Sequence, residues 1–270
     1  MIEKPKTLYH HTSLAGLAGI LRSRRLWATD ISYLNDAAEF RHAVDSISSG
    51  LGAAIEQGSL DPYLATALKV WLEIATEGLG TPSLYVACFS ENDDQLSQWR
   101  AYAQGGVAIG FDTARLEERA FAHHKAGNIG RRHALFTLGR CEYSKHQAQE
   151  PVAAFIADSG RTFEAVRGDA KGDPAELTRL AAKSVWKAFN RVAPLAKHYG
   201  FREEAEWRLV SEHTPGIMQW AEVKVRPSGS MVIPYYDLEI GSKAPGYEFR
   251  REGFAMPISE LVIGPTKDKT

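Results

Sequence analysis

The chain has 270 residues, of which 44% are hydrophobic and 24% charged, the composition of a folded globular protein. Its 32 Lys and Arg residues balance its 33 Asp and Glu residues, which argues against a general polyanion-coating role but leaves a local basic groove possible. The two cysteines form no CxxC pair, and the sequence shows neither an apolar secretory segment nor a run of about 20 apolar residues. We therefore expect a cytoplasmic protein.

The first third of the chain predicts one strand followed by helices. Thr7–Thr12 has the aromatic and β-branched residues of a strand, and Ser13 stands where a helix N-cap is expected. The helix that follows, LAGLAGILRSRRL, carries apolar residues at helical spacing. A second strand or loop is expected over residues 26–29, and helices over residues 39–50 and 60–76.

The remainder of the chain alternates between strand and helix patterns. SLYVACFS fits a buried strand, ENDDQLSQWRAYA a helix with acidic residues at its N-terminus, and VAIGFD another strand. Residues 138–143 predict a strand and residues 150–195 are predicted to be mostly helical, with a break near 168–174. Further strands are expected in EAEWRLVS, AEVKVR, SMVIPYY and ELVIGP. We therefore predict a single α+β domain over residues 1–270, with a helical insertion over roughly 150–195.

Two aromatic segments could form a binding site. His10 and His11 lie at a strand end before a helix, where a histidine can hold a sugar hydroxyl while neighbouring backbone groups bind an amide. Tyr85 lies on a predicted strand, and Trp99 and Tyr102 lie on the helix after it, so the three could form a slot for a flat ring. The alternative is that these aromatic residues belong to the core.

An acidic pair lies at the start of a late predicted strand. Glu204 and Glu206 fall on the same face if this segment is a strand, because strand side chains alternate. Two carboxylates on one face repel each other, and one of them can acquire a raised pKa. The alternative is a solvated acidic segment that pairs with Arg202 and Arg208.

Several common motifs are absent from the sequence. It contains no GxGxxG, Walker, GxSxG or HExxH motif, and His123 and His124 have no companion ligands at useful spacing, so we expect no metal site. Asn35, Asp36 and Glu39 form a polar group that we interpret as the cap of a helix starting near Ala37.

Taken together, the motifs LYHHTS, CFSE, WxxY and FxxExEWR resemble those of a widespread bacterial family of unknown function. The resemblance runs from about Leu8 to Pro265. Some members of that family lie near abortive-infection or toxin–antitoxin loci, so a toxin, phage-defence or toxin–antitoxin context is what the resemblance implies.

A more distant resemblance implies an activity. The YHxT strand followed by a helix is similar to the opening of ADP-ribosyltransferases of the His–Tyr–Glu type, which have a split β-sheet core. It implies that His10 binds a sugar hydroxyl, that Tyr85 and Tyr102 enclose nicotinamide, and that Glu204 or Glu206 is catalytic. Trp99 could replace Tyr102. The residues expected to contact NAD are His10, His11, Thr12, Tyr85, Ser90, Trp99 and Tyr102.

The resulting hypothesis is a mono-ADP-ribosyltransferase that uses NAD, without a metal, to modify a protein or nucleic acid. Cleavage of the nicotinamide–ribose bond builds positive charge on the sugar, which a carboxylate stabilises. NAD hydrolysis without an acceptor is an alternative. A phosphotransferase acting on RNA 2′-phosphates, gripped by Arg22, Arg24 and Arg25, is a second, and a non-catalytic nucleotide sensor or antitoxin is a third.

Overall fold

The computed structural model describes residues 3–34, 37–57, 60–76, 83–103, 105–122, 136–144, 150–211, 223–241 and 256–265. Over these residues the chain mixes helices with strands, and the strand pairs of its larger sheet are antiparallel. The predicted α+β class is therefore confirmed.

The strands follow the predicted order with two additions. They are β1 (Thr7–Thr12), β2 (Arg25–Asp30), β3 (Tyr85–Ser90), β4 (Val107–Asp112), β5 (Phe136–Arg140), β6 (Glu142–Ser144), β7 (Ala196–His198), β8 (Glu206–Ser211), β9 (Val223–Ser228), β10 (Met231–Glu239) and β11 (Ile258–Ile263). The residues predicted as one strand over 138–143 divide between β5 and β6. Strand β7, which was not predicted, pairs in parallel with β6.

The helices are α1 (Leu14–Ser23), α2 (Ala37–Gln57), α3 (Pro62–Thr76), α4 (Leu96–Gln98), α5 (Thr113–Ala122), α6 (Glu150–Glu164) and α7 (Pro174–Val192). A π-helical turn, Trp99–Ala103, continues α4, and a 3₁₀ turn, Tyr199–Glu204, precedes β8. The predicted helical character of residues 150–195 is confirmed. Helix α5 was not predicted.

Strand β3 is where the larger sheet divides. One edge of β3 pairs with β8 over residues 86–90. The other edge is shared, because β2 pairs with Tyr85 and Val86 whereas β1 pairs with Ser90. The sheet therefore forks into a β1-β4-β11 branch and a β2-β10-β9 branch, with β8 and β5 beyond the opposite edge of β3.

Helix α1 connects β1 to β2. Ser13 caps the helix as predicted, since its Oγ accepts a hydrogen bond of 3.1 Å from the backbone N–H of Gly16. The helix ends earlier than expected, at Ser23, because Arg24 takes a left-handed conformation with φ of 58° and donates its N–H to Ile20. The chain then enters β2, which confirms a strand in the predicted position.

Helices cover both faces of the sheet. Along β3, Val86 points into a core that includes residues of α2, α3, α6 and α7. Tyr85, Ala87 and Phe89 point to the other face, whose core includes Ile20 of α1 and residues of α5. Helices α6 and α7 thus pack into the same core as α2, α3 and the sheet, rather than forming a core of their own.

The segment after β3 differs from the predicted helix. Its acidic residues do not form the first helical turn, since α4 begins only at Leu96 and spans three residues. Asp94 instead accepts a hydrogen bond of 2.7 Å from the indole N–H of Trp99. The segment ends at Gly105 and Gly106, as predicted. A Cβ at Gly106 would lie 2.2 Å from the carbonyl oxygen of Thr12, so only glycine fits there without a backbone shift.

The helices found in the described residues are too short or too polar to cross a lipid bilayer.

Candidate functional site

A pocket lies where β1 separates from β3. Its volume is about 60 Å³, well below the range of roughly 300–1,000 Å³ for ligand pockets. Four separate segments supply its walls: β1, the end of β3, the α4 region, and the junction of the 3₁₀ turn with β8. The lining residues are Tyr9, His10, His11, Cys88, Phe89, Gln98, Tyr102, Glu204 and Glu206. Five of the predicted site residues (His10, His11, Tyr102, Glu204 and Glu206) are among them.

The orientation of His10 is set by a backbone group. Its Nδ1 lies 2.9 Å from the carbonyl oxygen of Cys88. A carbonyl oxygen only accepts, so Nδ1 carries the proton and Nε2 of the neutral ring is an acceptor. Burial lowers the pKa of His10, and the hydrogen bond to Cys88 opposes this only in part. The ring is therefore neutral near pH 7 and can accept a hydrogen bond from a ligand hydroxyl.

Glu206 is held in a buried network of ion pairs. Arg208 donates to its Oε1 from Nε over 2.9 Å and to its Oε2 from Nη2 over 3.0 Å. Lys197 donates to Oε2 over 2.7 Å. Burial acts to raise the pKa of Glu206, but the cations of Arg208 and Lys197 outweigh it and hold the pKa at about 2. The expectation of a raised pKa is therefore wrong for this residue.

Glu204 binds the same lysine, but the backbone at Glu204 is not the predicted strand. The segment is not a continuous strand, because Glu204 ends a 3₁₀ turn and Ala205 is left-handed, with φ of 41°. Glu204 nevertheless accepts a hydrogen bond of 2.7 Å from Nζ of Lys197, which Glu206 shares. The two carboxylates thus converge on one cation rather than facing each other unpaired, which is why their repulsion does not dominate.

The alternative interpretation, a solvated acidic segment that pairs with Arg202 and Arg208, is correct only in part. Arg208 pairs with Glu206, but both side chains are buried, not solvated. Arg202 lies with its guanidinium 4.5 Å from the ring centre of Tyr199, on the exposed side of the turn.

The predicted aromatic slot is only half formed. Tyr102 lines the pocket and is 42% exposed, so part of its side chain is accessible to a ligand. Tyr85 lies at the opposite end of β3 in the core between β3, β2 and β10, and it is not among the lining residues. On a strand, residues 85 and 89 share a face but lie four residues apart. Phe89, not Tyr85, is the β3 aromatic residue at the pocket.

Three further predicted residues, Trp99, Ser90 and Thr12, do not line the pocket but contact or adjoin residues that do. Trp99 is buried, and its ring meets His11 edge-on at 4.8 Å between ring centres. The Ser90 hydroxyl donates over 2.7 Å to the backbone oxygen of Glu204. Thr12 pairs with Val107 at the end of β1. We infer that Trp99, Ser90 and Thr12 position the walls rather than contacting a ligand.

Several lining or supporting residues were not predicted as site residues. Tyr9 donates over 2.8 Å to Glu260, and burial together with this carboxylate raises its pKa to about 12. Lys197 is 3% exposed, which is rare for a lysine and marks the ion-pair network. A lysine seven residues before Glu204 gives no sequence signal, because a turn separates the two.

The arginine triplet considered for phosphate binding lies elsewhere. Arg22 lies in the last turn of α1, Arg24 caps the end of that helix, and Arg25 begins β2, where it pairs with Glu239 over 2.8 Å. None of the three lines the pocket. Asn35, Asp36, His123 and His124 lie outside the described residues, as does the side chain of Glu39. Among the described residues, no group of three or more His, Cys, Asp and Glu side chains is placed to hold a metal.

A larger pocket, of about 330 Å³, lies on the other side of Lys197. Its walls come from α2, α6, α7, β6 and β7, and its polar lining includes Glu142, Glu150 and Arg191. It contains none of the predicted site residues, and its lining flanks residues 145–149, which are outside the described range. The smaller pocket is therefore the better-defined candidate.

Comparison with known proteins gives one family match. Residues 98–209 match the model of a family described as "Protein of unknown function (DUF2971)". The matched range contains the WxxY and FxxExEWR motifs and ends in β8, whereas LYHHTS and CFSE precede it. None of the curated proteins and none of the solved structures compared with the chain matches it.

Proposed function

We propose that the chain is a mono-ADP-ribosyltransferase that uses NAD to modify a macromolecule, either a protein or a nucleic acid. The observation that carries the proposal is the convergence of His10, Tyr102, Glu204 and Glu206 on one pocket from three distant segments of the chain. These residue types are the ones that the predicted chemistry requires. The fork of the sheet at β3, beside the pocket, is consistent with a split-sheet core.

His10 and Tyr102 would position the nicotinamide–ribose half of NAD. Nε2 of neutral His10 would accept a hydrogen bond from a ribose hydroxyl, because Nδ1 is committed to Cys88. The ring of Tyr102 would stack on nicotinamide. Together these contacts would hold the bond between nicotinamide N1 and ribose C1′ in place, which is an orientation effect.

Glu204 and Glu206 differ in how accessible their carboxylates are to a ligand. The side chain of Glu204 is 14% exposed and that of Glu206 is 7% exposed. Both oxygens of Glu206 already accept hydrogen bonds from Arg208 or Lys197. We therefore assign the contact with the ribose to Glu204, while Glu206 acts as a positioning residue that fixes Lys197.

The reaction would proceed by cleavage of the N1–C1′ bond. The bonding electrons leave with nicotinamide, and positive charge develops on the sugar, where the carboxylate of Glu204 stabilises it. A nucleophilic oxygen or nitrogen of the acceptor then bonds to C1′ and releases its proton. The products are ADP-ribosylated acceptor, nicotinamide and one proton.

The same geometry supports a second candidate, a non-catalytic NAD-binding module. Lys197, Arg208, Glu204 and Glu206 sum to zero formal charge, and two cations neutralise the most buried carboxylate. A neutralised carboxylate stabilises developing positive charge less than a free one does. This module would bind NAD through His10 and Tyr102 without cleaving it.

The test uses NAD labelled on its adenine ring, with and without bacterial lysate. Release of nicotinamide together with label on a macromolecule supports transfer, whereas release without lysate and without labelling supports NAD hydrolysis. Binding of NAD without release supports the non-catalytic module. Absence of both binding and release, in several lysates, would contradict every form of the proposal.

A further inference from the structure

One polar side chain in the pocket has no role in the scheme above. Gln98 lines the pocket at the end of α4 and is only 7% exposed. Its side chain ends in an amide, which can both donate and accept hydrogen bonds. An amide in a pocket wall can therefore meet water or a ligand there.

A second group in the same wall is an acceptor without a hydrogen-bond partner among the described residues. His11 contacts the carbonyl oxygen of Asp93 through Nε2 over 3.2 Å, so Nε2 carries the proton and Nδ1 is an acceptor. Nδ1 is buried and has no hydrogen-bond partner among the described residues. His11 packs against Trp99, the residue next to Gln98. The lining thus combines an amide, which both donates and accepts, with a buried acceptor on His11.

These groups lie beside the proposed stacking surface. Gln98 and Tyr102 are four residues apart on α4 and the π-helical turn, and both line the pocket. A flat ring stacked on Tyr102 would therefore present its edge near Gln98. A primary carboxamide on that edge has one acceptor and two donor hydrogens, which complement an amide and a ring nitrogen.

We infer that Gln98, assisted by His11, recognises the carboxamide of the nicotinamide ring and so makes the site selective for NAD over its nicotinic-acid analogue. This inference rests on the proposed function and names its specificity-determining residue. A carboxylate has no donor hydrogens, so it would leave the acceptors of Gln98 and His11 unpaired. The acid analogue should therefore bind less tightly than NAD.

The experiment measures the binding of NAD, nicotinic acid adenine dinucleotide and ADP-ribose to wild type and to Gln98→Met by calorimetry. Methionine keeps the length of the side chain and removes its hydrogen bonds. Wild type should prefer NAD to the acid analogue by about tenfold or more, and Gln98→Met should lose most of that preference. ADP-ribose, which lacks the ring, should bind both proteins with the same affinity.

Gln95→Met is the matched control, because Gln95 precedes α4, makes no capping hydrogen bond and is not among the lining residues. It should retain the preference for NAD. Unchanged selectivity in Gln98→Met, with NAD still bound, would overturn the inference and leave the proposed function standing. Equal losses of NAD and ADP-ribose binding would mean a structural role for Gln98 and would also overturn it. Failure of wild type to bind any of the three would overturn both.

Discussion

Nδ1 of His10 donates to the carbonyl oxygen of Cys88 over 2.9 Å, and this contact determines which ring nitrogen can meet a ligand. Cys88 lies on β3, close to the point where β1 and β3 separate. The sheet itself therefore sets the tautomer of the histidine. Because burial also lowers the pKa of His10, the neutral acceptor form prevails at physiological pH.

The first prediction follows from this tautomer. NAD affinity should be constant near neutral pH and should fall as the pH drops through the lowered pKa of His10, below its usual 6.5, because protonation removes the Nε2 acceptor. Titration of binding by fluorescence or calorimetry from pH 5 to 8 measures this. His10→Asn should bind more weakly with a flatter pH profile. An unaltered pH dependence in that variant would assign the titration to another group, such as His11.

The second prediction concerns the stacking surface. Tyr102→Ala should weaken NAD binding by roughly 2- to 10-fold, the range expected for loss of one aromatic contact of about 0.5–1.5 kcal/mol. Tyr102→Phe keeps the ring and should bind like wild type. Since Tyr102 is 42% exposed, neither change should reduce thermal stability much. If Phe and Ala at this position bind NAD equally well, the ring does not stack on the ligand.

The third prediction concerns the contribution of the ion-pair network to stability. Arg208→Met removes the cation that holds Glu206 by two hydrogen bonds, and it should lower the free energy of unfolding by about 3–5 kcal/mol, as measured by urea denaturation. Arg202→Met makes the same chemical change on the exposed side of the turn and should cost less than about 1 kcal/mol. Similar losses for the two variants would contradict the network's importance.

The fourth prediction concerns acid stability. Glu206 has a folded-state pKa of about 2, lower than its unfolded value of 4.5. At pH values between the two, the unfolded chain binds more protons, so the stabilisation is complete above about pH 4.5 and is lost as the pH falls toward 2. Urea denaturation at a series of pH values measures the slope. Glu206→Gln should be less stable at neutral pH and should lose less on acidification; an acid dependence as steep as that of wild type would be inconsistent with this account.

The elements of the fold were more predictable than the site. Ser13 and the strands around it were evident because capping residues and β-branched patterns act locally. The position of Tyr85 was not, because the strand pattern shows which face a residue occupies but not which end of the strand reaches the pocket. Phe89, four residues later on the same face, takes that place.

The acidic pair shows a second limit. The expected alternation of a strand placed Glu204 and Glu206 together, and they do converge, but through a left-handed Ala205 and a shared Lys197. A lysine buried by tertiary contacts leaves no local pattern. Its presence also reverses the expected pKa shift of Glu206, since two cations outweigh burial. The pKa of Glu206 therefore depends on charges that only the folded chain brings together, and no local sequence pattern indicates it.

The measurement that tests the central claim most directly is the rate of nicotinamide release from NAD by wild type, Glu204→Gln and Glu203→Gln. Glu203 is the exposed neighbour of Glu204, so the same substitution there controls for the loss of one charge from the turn. The account predicts that wild type and Glu203→Gln release nicotinamide at similar rates and that Glu204→Gln, still folded, is roughly 100- to 1,000-fold slower. Release by Glu204→Gln at the wild-type rate would contradict the assignment of the ribose contact to Glu204, and no release by the wild type would contradict the proposed activity itself.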